Sequence, residues 1–579
     1  MAFDQHIRRR PLPEKMPQLA ADLPPVLARV FAARAVRDAD ELQYELQKLL
    51  PYQQLRDIDR AVDLLIAALQ QQQRVLIVGD FDADGATSTA LAVAVLQAMG
   101  LKQIDYLVPN RFKFGYGLTP EIVEVACEYR PDLIITVDNG IASLSGVEAA
   151  NAQGIKVLIT DHHLAGAHLP DAEAILNPNQ PDDSFPSKAL PGVGVMFYLL
   201  MALRVRLREM NWFEQQGIEQ PNLAQYLDLV ALGTVADLVP LDRNNRILVA
   251  QGLSRMRAGQ ARPGIRALIE VAGRTADRLS ASDIGFFIAP RLNAAGRMDD
   301  MSHGIECLLA GNEQKARELA QQLDSLNRER RGVEAAMKQD ALQLLDNMQL
   351  DEANLPHGLC LFDENWHEGV VGILASRVKE QVHRPVIAFA ATANGEIKGS
   401  ARSVRGLHIR DALDAVATRH PDLISKFGGH AMAAGLSLPR DNFEAFAEAF
   451  DAEVRRHLDE AELCGEHFSD GPLAADEMTL ELAEAIRQAG PWGQGFEEPL
   501  FDGEFELVQR RIVGEHHLKM VLRHPEAPER VFDAIAFNHV DHDWPAEVSR
   551  VELVYQLDVN EYRGQRSLQL LVRYLRPLG

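Results

Sequence analysis

A chain of 579 residues is longer than one compact hydrophobic core accommodates and points to three or four domains. Its 47% hydrophobic and 25% charged residues exclude a disordered chain, and a net charge of -24 argues against a protein that coats nucleic acid nonspecifically, though metal-gathering carboxylates keep a nuclease open. Cys127, Cys307, Cys360 and Cys464 form no C-x-x-C pair, the opening MAFDQHIRRRPLPEKMPQLAADLPP lacks the apolar core of a secretory signal, and the apolar stretch 90–99 is too short to cross a membrane, so a soluble, cytoplasmic protein is expected.

After a proline-containing lead, helices are expected over 38–50 and 58–71. The apolar, β-branched run 75–78 reads as a buried parallel strand, followed by a helix over 88–99. The alternation continues with a strand over 103–108, a helix over 120–128, a strand over 133–137, a helix over 145–152 and a strand over 157–160, which predicts an α/β fold with a mostly parallel sheet covered by helices. Further helices are expected over 193–210 and 223–232, and a long one over 312–347 that connects two lobes. Strands over 359–362 and 386–389, with WHEGVVGILASRV between them, suggest a second α/β lobe. Beyond residue 503 short segments at 504–508, 517–522 and 567–571 favour a terminal β domain.

The strongest local signal is Asp80-Phe81-Asp82-Ala83-Asp84-Gly85 at the C-terminal end of the first strand, where ligands approach parallel sheets. A calcium loop is the competing reading, but the further ligands and flanking helix pair of an EF-hand are missing. Asp138 follows the next strand in LIITVDNG, and an Asx turn or helix cap is its alternative. KVLITDHH places Asp161, His162 and His163 at a third strand end. Carboxylates with imidazole suit manganese and other divalent ions. Asp237, in ALGTVADLVPL, reads in isolation as a solvated or capping aspartate.

The combination GDFDADG, VDNG, TDHH and GTVAD resembles the DHH phosphoesterase superfamily, named for motifs such as Asp161-His162-His163, and within it the single-strand-specific exonucleases, over a span from about Leu50 to the C-terminus. The resemblance implies a two-lobed core of a DHH domain and a DHH-associated domain with a long linker helix, then an OB-like β-barrel. It sets boundaries at 1–49 for an N-terminal extension, 50–310, 311–350, 351–463 and 464–579. It implies two divalent ions, Mn2+ or Mg2+, with Asp82 serving one, Asp84 the other, Asp138 bridging, and His162 and Asp237 completing the second. Asp80 adds a ligand or orients water, Asp161 orients an imidazole, holds the loop or coordinates, and His163 contacts the scissile phosphate or stands behind the ligands.

For the substrate, Arg111 and Tyr116 in NRFKFGYG offer a phosphate contact and a stacking ring, and Arg291, Asn293 and Arg297 in PRLNAAGRM offer a strand guide within a stretch, 255–297, that carries eight arginines. In the second lobe Ser400 and Arg402 of GSARS and Gly428, Gly429 and His430 of KFGGHAMAAG resemble a phosphate-holding wall, and Trp366 is a candidate base stacker. The implied activity is processive 5′-to-3′ hydrolysis of single-stranded DNA to 5′-mononucleotides in recombination and DNA repair, by a monomer working with a helicase and single-strand-binding protein. A short-RNA or cyclic-dinucleotide phosphodiesterase and a nonenzymatic nucleic-acid scaffold are the alternatives.

Overall fold

The computed structural model describes residues 5–19, 23–109, 117–347, 355–392, 395–459, 463, 465–514, 516–540, 544, 548–562 and 564–578. The central sheet is wholly parallel, with strands in the order Ile104–Leu107, Val75–Gly79, Leu133–Val137, Lys156–Thr160 and Ala174–Leu176. Of its three inner strands, Val75–Gly79 and Leu133–Val137 are buried along their whole length, and successive side chains go to opposite faces. Val75, Ile77, Leu133 and Ile135 meet the helices Ile58–Gln71, Ala83–Ala98 and Gly192–Glu209, whereas Leu76, Val78 and Ile134 meet Pro120–Glu128 and Leu144–Ala152. Each strand therefore delivers its last residues to one rim of the sheet, between two helical layers.

The 35-residue helix Glu313–Asn347, about 50 Å long at 1.5 Å per residue, leads to the second lobe. There the sheet runs Lys426–Gly429, Ala433–Pro439, Glu396–Arg402, Val386–Ala391, Leu359–Asp363, antiparallel except for the last pair. Helix Val371–Val382 covers one face, and Ile409–Arg419 with Phe443–His457 cover the other. A closed five-stranded barrel, from Phe501–Val513 to Gln565–Leu578, ends the chain in an OB-like arrangement.

Several elements depart from expectation. Residues 38–50 form short 3-10 turns, Ala39–Leu42 and Leu46–Lys48, because the Asp38 carboxylate ties down Asp40 N and Glu41 N and no buried apolar stripe supports a longer helix. The helix expected from 88 begins at Ala83, directly after the capping Asp82. The N-terminal lead also joins the body. Gln5–Arg9 pairs in parallel with Gly465–Ser469, Arg34 forms a buried ion pair with Asp470 at 2.7 Å, and Phe31 stacks on Trp492 and Phe496. Among the described residues no helix is long and apolar enough to cross a membrane.

Burial holds the Cys307 thiol up at about 12 and raises that of Cys360 well above its ordinary value, which starves both of the reactive thiolate. In the native protein at pH 8, iodoacetamide should therefore leave Cys307 and Cys360 unmodified, as read by peptide mass spectrometry, and label them only after denaturation.

Candidate metal centre

Three strand ends bring the chemistry together. Asp80 follows Val75–Gly79, Asp138 follows Leu133–Val137, and Asp161, His162 and His163 follow Lys156–Thr160. Asp138 adopts a left-handed backbone with φ 62°, and its N–H donates to Thr160 O at 3.0 Å. That turn directs its carboxylate toward the other ends. The Asn139 amide bonds Val78 O at 3.1 Å and Val137 O at 2.9 Å, which locks two strand ends together.

Asp82 caps helix Ala83–Ala98 by accepting from Asp84 N at 2.9 Å and Gly85 N at 3.0 Å. Asp84, one turn in, is buried and receives Gly192 N at 2.7 Å and Val193 N at 2.9 Å, so the positive end of helix Gly192–Glu209 holds it. Asp237 terminates helix Leu227–Ala236. Its Oδ2 lies 3.4 Å from His162 Nε2, which is 3.0 Å from Asp138 Oδ1. His162 Nε2 and Asp237 Oδ2 are both buried and make no hydrogen bond.

The ligand atoms fall into adjoining groups, each with its members within 4.8 Å of one another: Asp80, Asp82 and Asp138; Asp84, His162 and Asp237; and Asp138, His162 and His163. Asp138 is common to the first and third, and His162 to the second and third. Burial first, then the charges of neighbouring aspartates, raises Asp84 to about 7 and pushes Asp138 and Asp237 well above the usual carboxylate range. Burial and the charge of His163 take His162 down to about 3, so its imidazole is neutral and able to ligate. Hard oxygens, a neutral nitrogen, buried atoms without hydrogen bonds and crowded negative charge together fit divalent cations.

Asp161 stands outside these donor groups. It accepts from His162 N at 2.7 Å, His163 N at 3.1 Å and Ile141 N at 2.8 Å, and pairs with His163 Nδ1 at 2.8 Å. Burial opposes its ionisation, but the His163 hydrogen bond and charge outweigh it and bring the carboxyl to about 2. Burial likewise works against a charged His163, and the Asp161 hydrogen bond overcomes it and raises that imidazole to about 9.

Sequence reasoning missed the residues that hold the loops. Asn179 Nδ2 donates to His162 O at 2.6 Å and Asn177 Nδ2 to His163 O at 2.9 Å, while Gly192 stands so close that a Cβ there would lie 2.7 Å from the Asp138 Cβ. The turn-forming Asn177-Pro178-Asn179 and the glycines of LPGVG carried a signal of tight turns, without indicating what they touch.

The second lobe reaches this centre through His430, whose ring stacks on His163 at 6.0 Å. Ser400 and Gly428 lie in one cross-strand row through Gly435, Arg402 is two residues further along the same face, and its Nη1 donates to Ser400 Oγ at 3.0 Å. Gly429 follows at φ 145°, pressed against Ala434. Asn293 sits beside the metal loop and accepts from Ala83 N at 2.8 Å, and Arg297 bonds Gly369 O at 3.4 Å across the lobes.

Two expectations are corrected. Arg291 is no strand guide: its guanidinium is buried and engaged by Asp324 at 2.8 Å, Val271 O at 3.2 Å and Phe287 O. Trp366 is no base stacker, because it is buried in the core beneath helix Val371–Val382. Arg111 and Tyr116 lie outside the described residues.

A parallel-sheet domain with this acidic rim, joined by a long helix to a mixed-sheet lobe, is the architecture of a DHH-type metal-dependent enzyme. The model for the DHH family, N-terminal domain, matches residues 74–234, the DHHA1 domain matches 356–456, and the RecJ OB domain matches 469–574. The single-stranded-DNA-specific exonuclease RecJ of Salmonella typhimurium is 55% identical over 579 residues, covering both chains fully, and its Escherichia coli counterpart is 54% identical over 573 residues and 99% of each chain. The crystal structure of RecJ in complex with Mn2+ from Thermus thermophilus superposes with a TM-score of 0.81 at 30% identity, covering all of this chain and 80% of that one. The chain belongs to the RecJ family.

Two outcomes follow from the supporting contacts. Gly192→Ala should weaken manganese binding by about tenfold in calorimetry, because the three atoms nearest the added methyl all belong to Asp138, at 2.7 to 2.9 Å. In the metal-free chain His163 has its folded pKa raised from 6.5 to about 9, so its charged form stabilises the fold. That contribution is complete below about pH 6.5 and disappears as the pH rises through about 9. The melting-temperature gap between the parent chain and His163→Gln should close over that interval.

Proposed function

We propose that this chain is a metal-dependent exonuclease that degrades single-stranded DNA processively from the 5′ end and releases 5′-mononucleotides, in recombination and DNA repair. The observation that carries the reading is the linked set of donor groups in which Asp138 stands between Asp80 with Asp82 on one side and His162 with Asp84 and Asp237 on the other. In this reading Asp82, with Asp80, would hold one divalent ion, His162, Asp84 and Asp237 would hold the second, and Asp138 would serve both. Divalent ions held there would supply a water nucleophile at neutral pH and offset negative charge on the phosphate and leaving oxygens.

The remaining steps belong to side chains. Asp161 orients the His163 ring through the 2.8 Å contact at Nδ1, which lets that imidazole hold a nonbridging phosphate oxygen. On the second lobe the Ser400 hydroxyl, the Arg402 guanidinium and the backbone at Gly428 and Gly429 form a polar wall that receives the entering 5′ end, with His430 closing the gap to His163. Arg297 and Asn293 act behind the strand: one ties the lobes at Gly369, and the other fixes the start of the helix that Asp82 caps.

The barrel is the further strand-holding surface. Several of its cations are paired within the molecule, Lys519 with Asp533 at 3.6 Å, Arg523 with Glu506 at 3.4 Å and Arg566 with Glu484, so a strand there exchanges ion pairs instead of meeting bare charge. The proposed setting is the cytoplasm, where a monomer takes strands opened by a helicase and covered by single-strand-binding protein.

The test is time-resolved product analysis with 5′- and 3′-labelled single strands, in manganese, in magnesium and without divalent ions. Mononucleotide release from the 5′ label first, dependent on metal, is expected. Exclusive 3′ release overturns the polarity, and preferential cleavage of short RNA or cyclic dinucleotides overturns the substrate. Asp138→Ala should reduce turnover by about three orders of magnitude or more, since it removes a charge shared by both ions. Near-parental rates in metal-defined buffer would remove Asp138 from the bridge.

A further inference from the structure

Successive residues of a strand face opposite ways, so a two-stranded ribbon has two faces that can meet different neighbours. The ribbon of Gln5–Arg9 and Gly465–Ser469 uses both. One face lies on the barrel, where Arg9 and Ser469 bond Asp502 and His467 stacks on Tyr574 at 4.7 Å. The alternate residues, Arg8, Arg10, Glu466 and Phe468, turn the other way. There the Arg8 and Arg10 guanidiniums stand 5.9 and 5.4 Å from the centre of the Phe468 ring, and a third, from Arg405 of the second lobe, stands 5.6 Å from it.

Three like charges around one ring repel, and two carboxylates answer them. Glu466 is shared, at 3.0 Å from Arg8 and 3.7 Å from Arg405, and Glu497 lies 3.3 Å from Arg10. The Arg8 and Arg405 side chains are 58% and 75% exposed, so neither is consumed by packing. In a chain of net charge -24 such a face is out of character. The backbone also ties it to the metal centre. The segment that carries Arg405 runs beside that of His430, with Ser403 N donating to Met432 O and Ile409 N to Ala431 O, both at 2.9 Å. It continues through His408 to Arg410, whose charges, after burial and the charge of His163, lower the His430 imidazole. Basic side chains thus lead from His163 and His430, by way of Arg410 and His408, to Arg405 and the ribbon.

We propose that Arg8, Arg10 and Arg405, gathered on Phe468, form a second phosphate-holding site for the single strand, several nucleotides from the cut, an inference that rests on the exonuclease reading above. The ring attracts each guanidinium through its face and holds the three in place, while their N–H forks match phosphate oxygens. Phosphate contacts of this kind carry no sequence information, as a strand that is consumed whatever its sequence requires. The entering end stops at the wall of the second lobe, which leaves the uncut portion to reach the ribbon. A strand arriving there takes Arg8 and Arg405 away from Glu466. The acid therefore competes with DNA, and that fixes the sign of its effect.

The experiment compares the full-length parent, Arg8→Ala, Arg405→Ala and Glu466→Gln on single-stranded oligonucleotides of about 4 and about 30 nucleotides in manganese. Cleavage of both by the parent tests the exonuclease reading separately, before any variant is compared. On the long strand each arginine variant should raise KM about fivefold with kcat little changed, and on the short one, which ends before the ribbon, all should match the parent. Glu466→Gln should do the reverse and lower KM about twofold on the long strand. In binding followed by fluorescence anisotropy without divalent ions, Arg405→Ala should also flatten the dependence of log Kd on log salt by about 0.7, the share of one phosphate contact. An unchanged KM on the long strand overturns the proposal and leaves the face to an acidic protein partner. An equal rise on both lengths overturns it too, and so does a Glu466→Gln defect of the same sign as the arginine variants, which would make these pairs a strap between the second lobe and the ribbon.

Discussion

Mutual repulsion among Asp80, Asp82, Asp84, Asp138 and Asp237 is the constraint around which the first lobe is arranged. Burial disfavours the ionisation of these carboxylates and their repulsion adds to it, and the raised values at Asp84, Asp138 and Asp237 express both costs. The fold offsets it in part with fixed dipoles. Helix Gly192–Glu209 points its N-terminal amides at Asp84, and the amides after Asp82 satisfy that side chain. The rest is left for cations, so the same feature that destabilises the metal-free centre gives it affinity for divalent ions.

Helix Ala289–Met298 connects this centre to the second lobe and to the long helix. Its Asn293 holds Ala83 N, its Gly296 fits against the Phe81 carbonyl where a Cβ would collide, its Arg297 reaches Gly369 of the second lobe, and its buried Arg291 grips Asp324 of the long helix. Asp324 takes Arg328 as well, at 2.5 Å. A shift of the second lobe is therefore felt at the loop that carries Asp80, Asp82 and Asp84. The stacked His163 and His430 rings give the lobes a second meeting point on the substrate side.

Much of this was legible in the sequence because parallel strands announce themselves as short β-branched runs and their ends carry the chemistry. The runs before Asp80, Asp138 and Asp161 predicted both the sheet and the rim where these residues gather. Asp237 ends a helix that is apolar all round, so no periodic pattern marks it, and only the family resemblance singled it out. Arg291 and Trp366 went astray for a common reason: a charged or aromatic side chain in a motif says nothing about which way the motif faces, and here both face inward. Gly192, Asn177 and Asn179 escaped notice because their partners are backbone and carboxylate atoms distant in the chain or the next turn over, contacts that local spacing does not encode. The N-terminal strand was invisible too, since five residues paired to a partner 460 positions away leave no local signature.

That last pairing has a consequence for how the molecule is made. Gln5 to Arg9 emerges first from the ribosome, and its partner, Gly465 to Ser469, follows only after some 460 further residues, which at ordinary elongation speeds takes on the order of half a minute to a minute and a half. For that interval the nascent chain carries an open strand edge next to arginines and to an aromatic cluster, around Phe31, that awaits Trp492 and Phe496. Arg8, Arg9 and Arg10 then close on Glu466, Asp502 and Glu497, at 3.0, 2.7 and 3.3 Å, acids that are all made in the last fifth of the sequence.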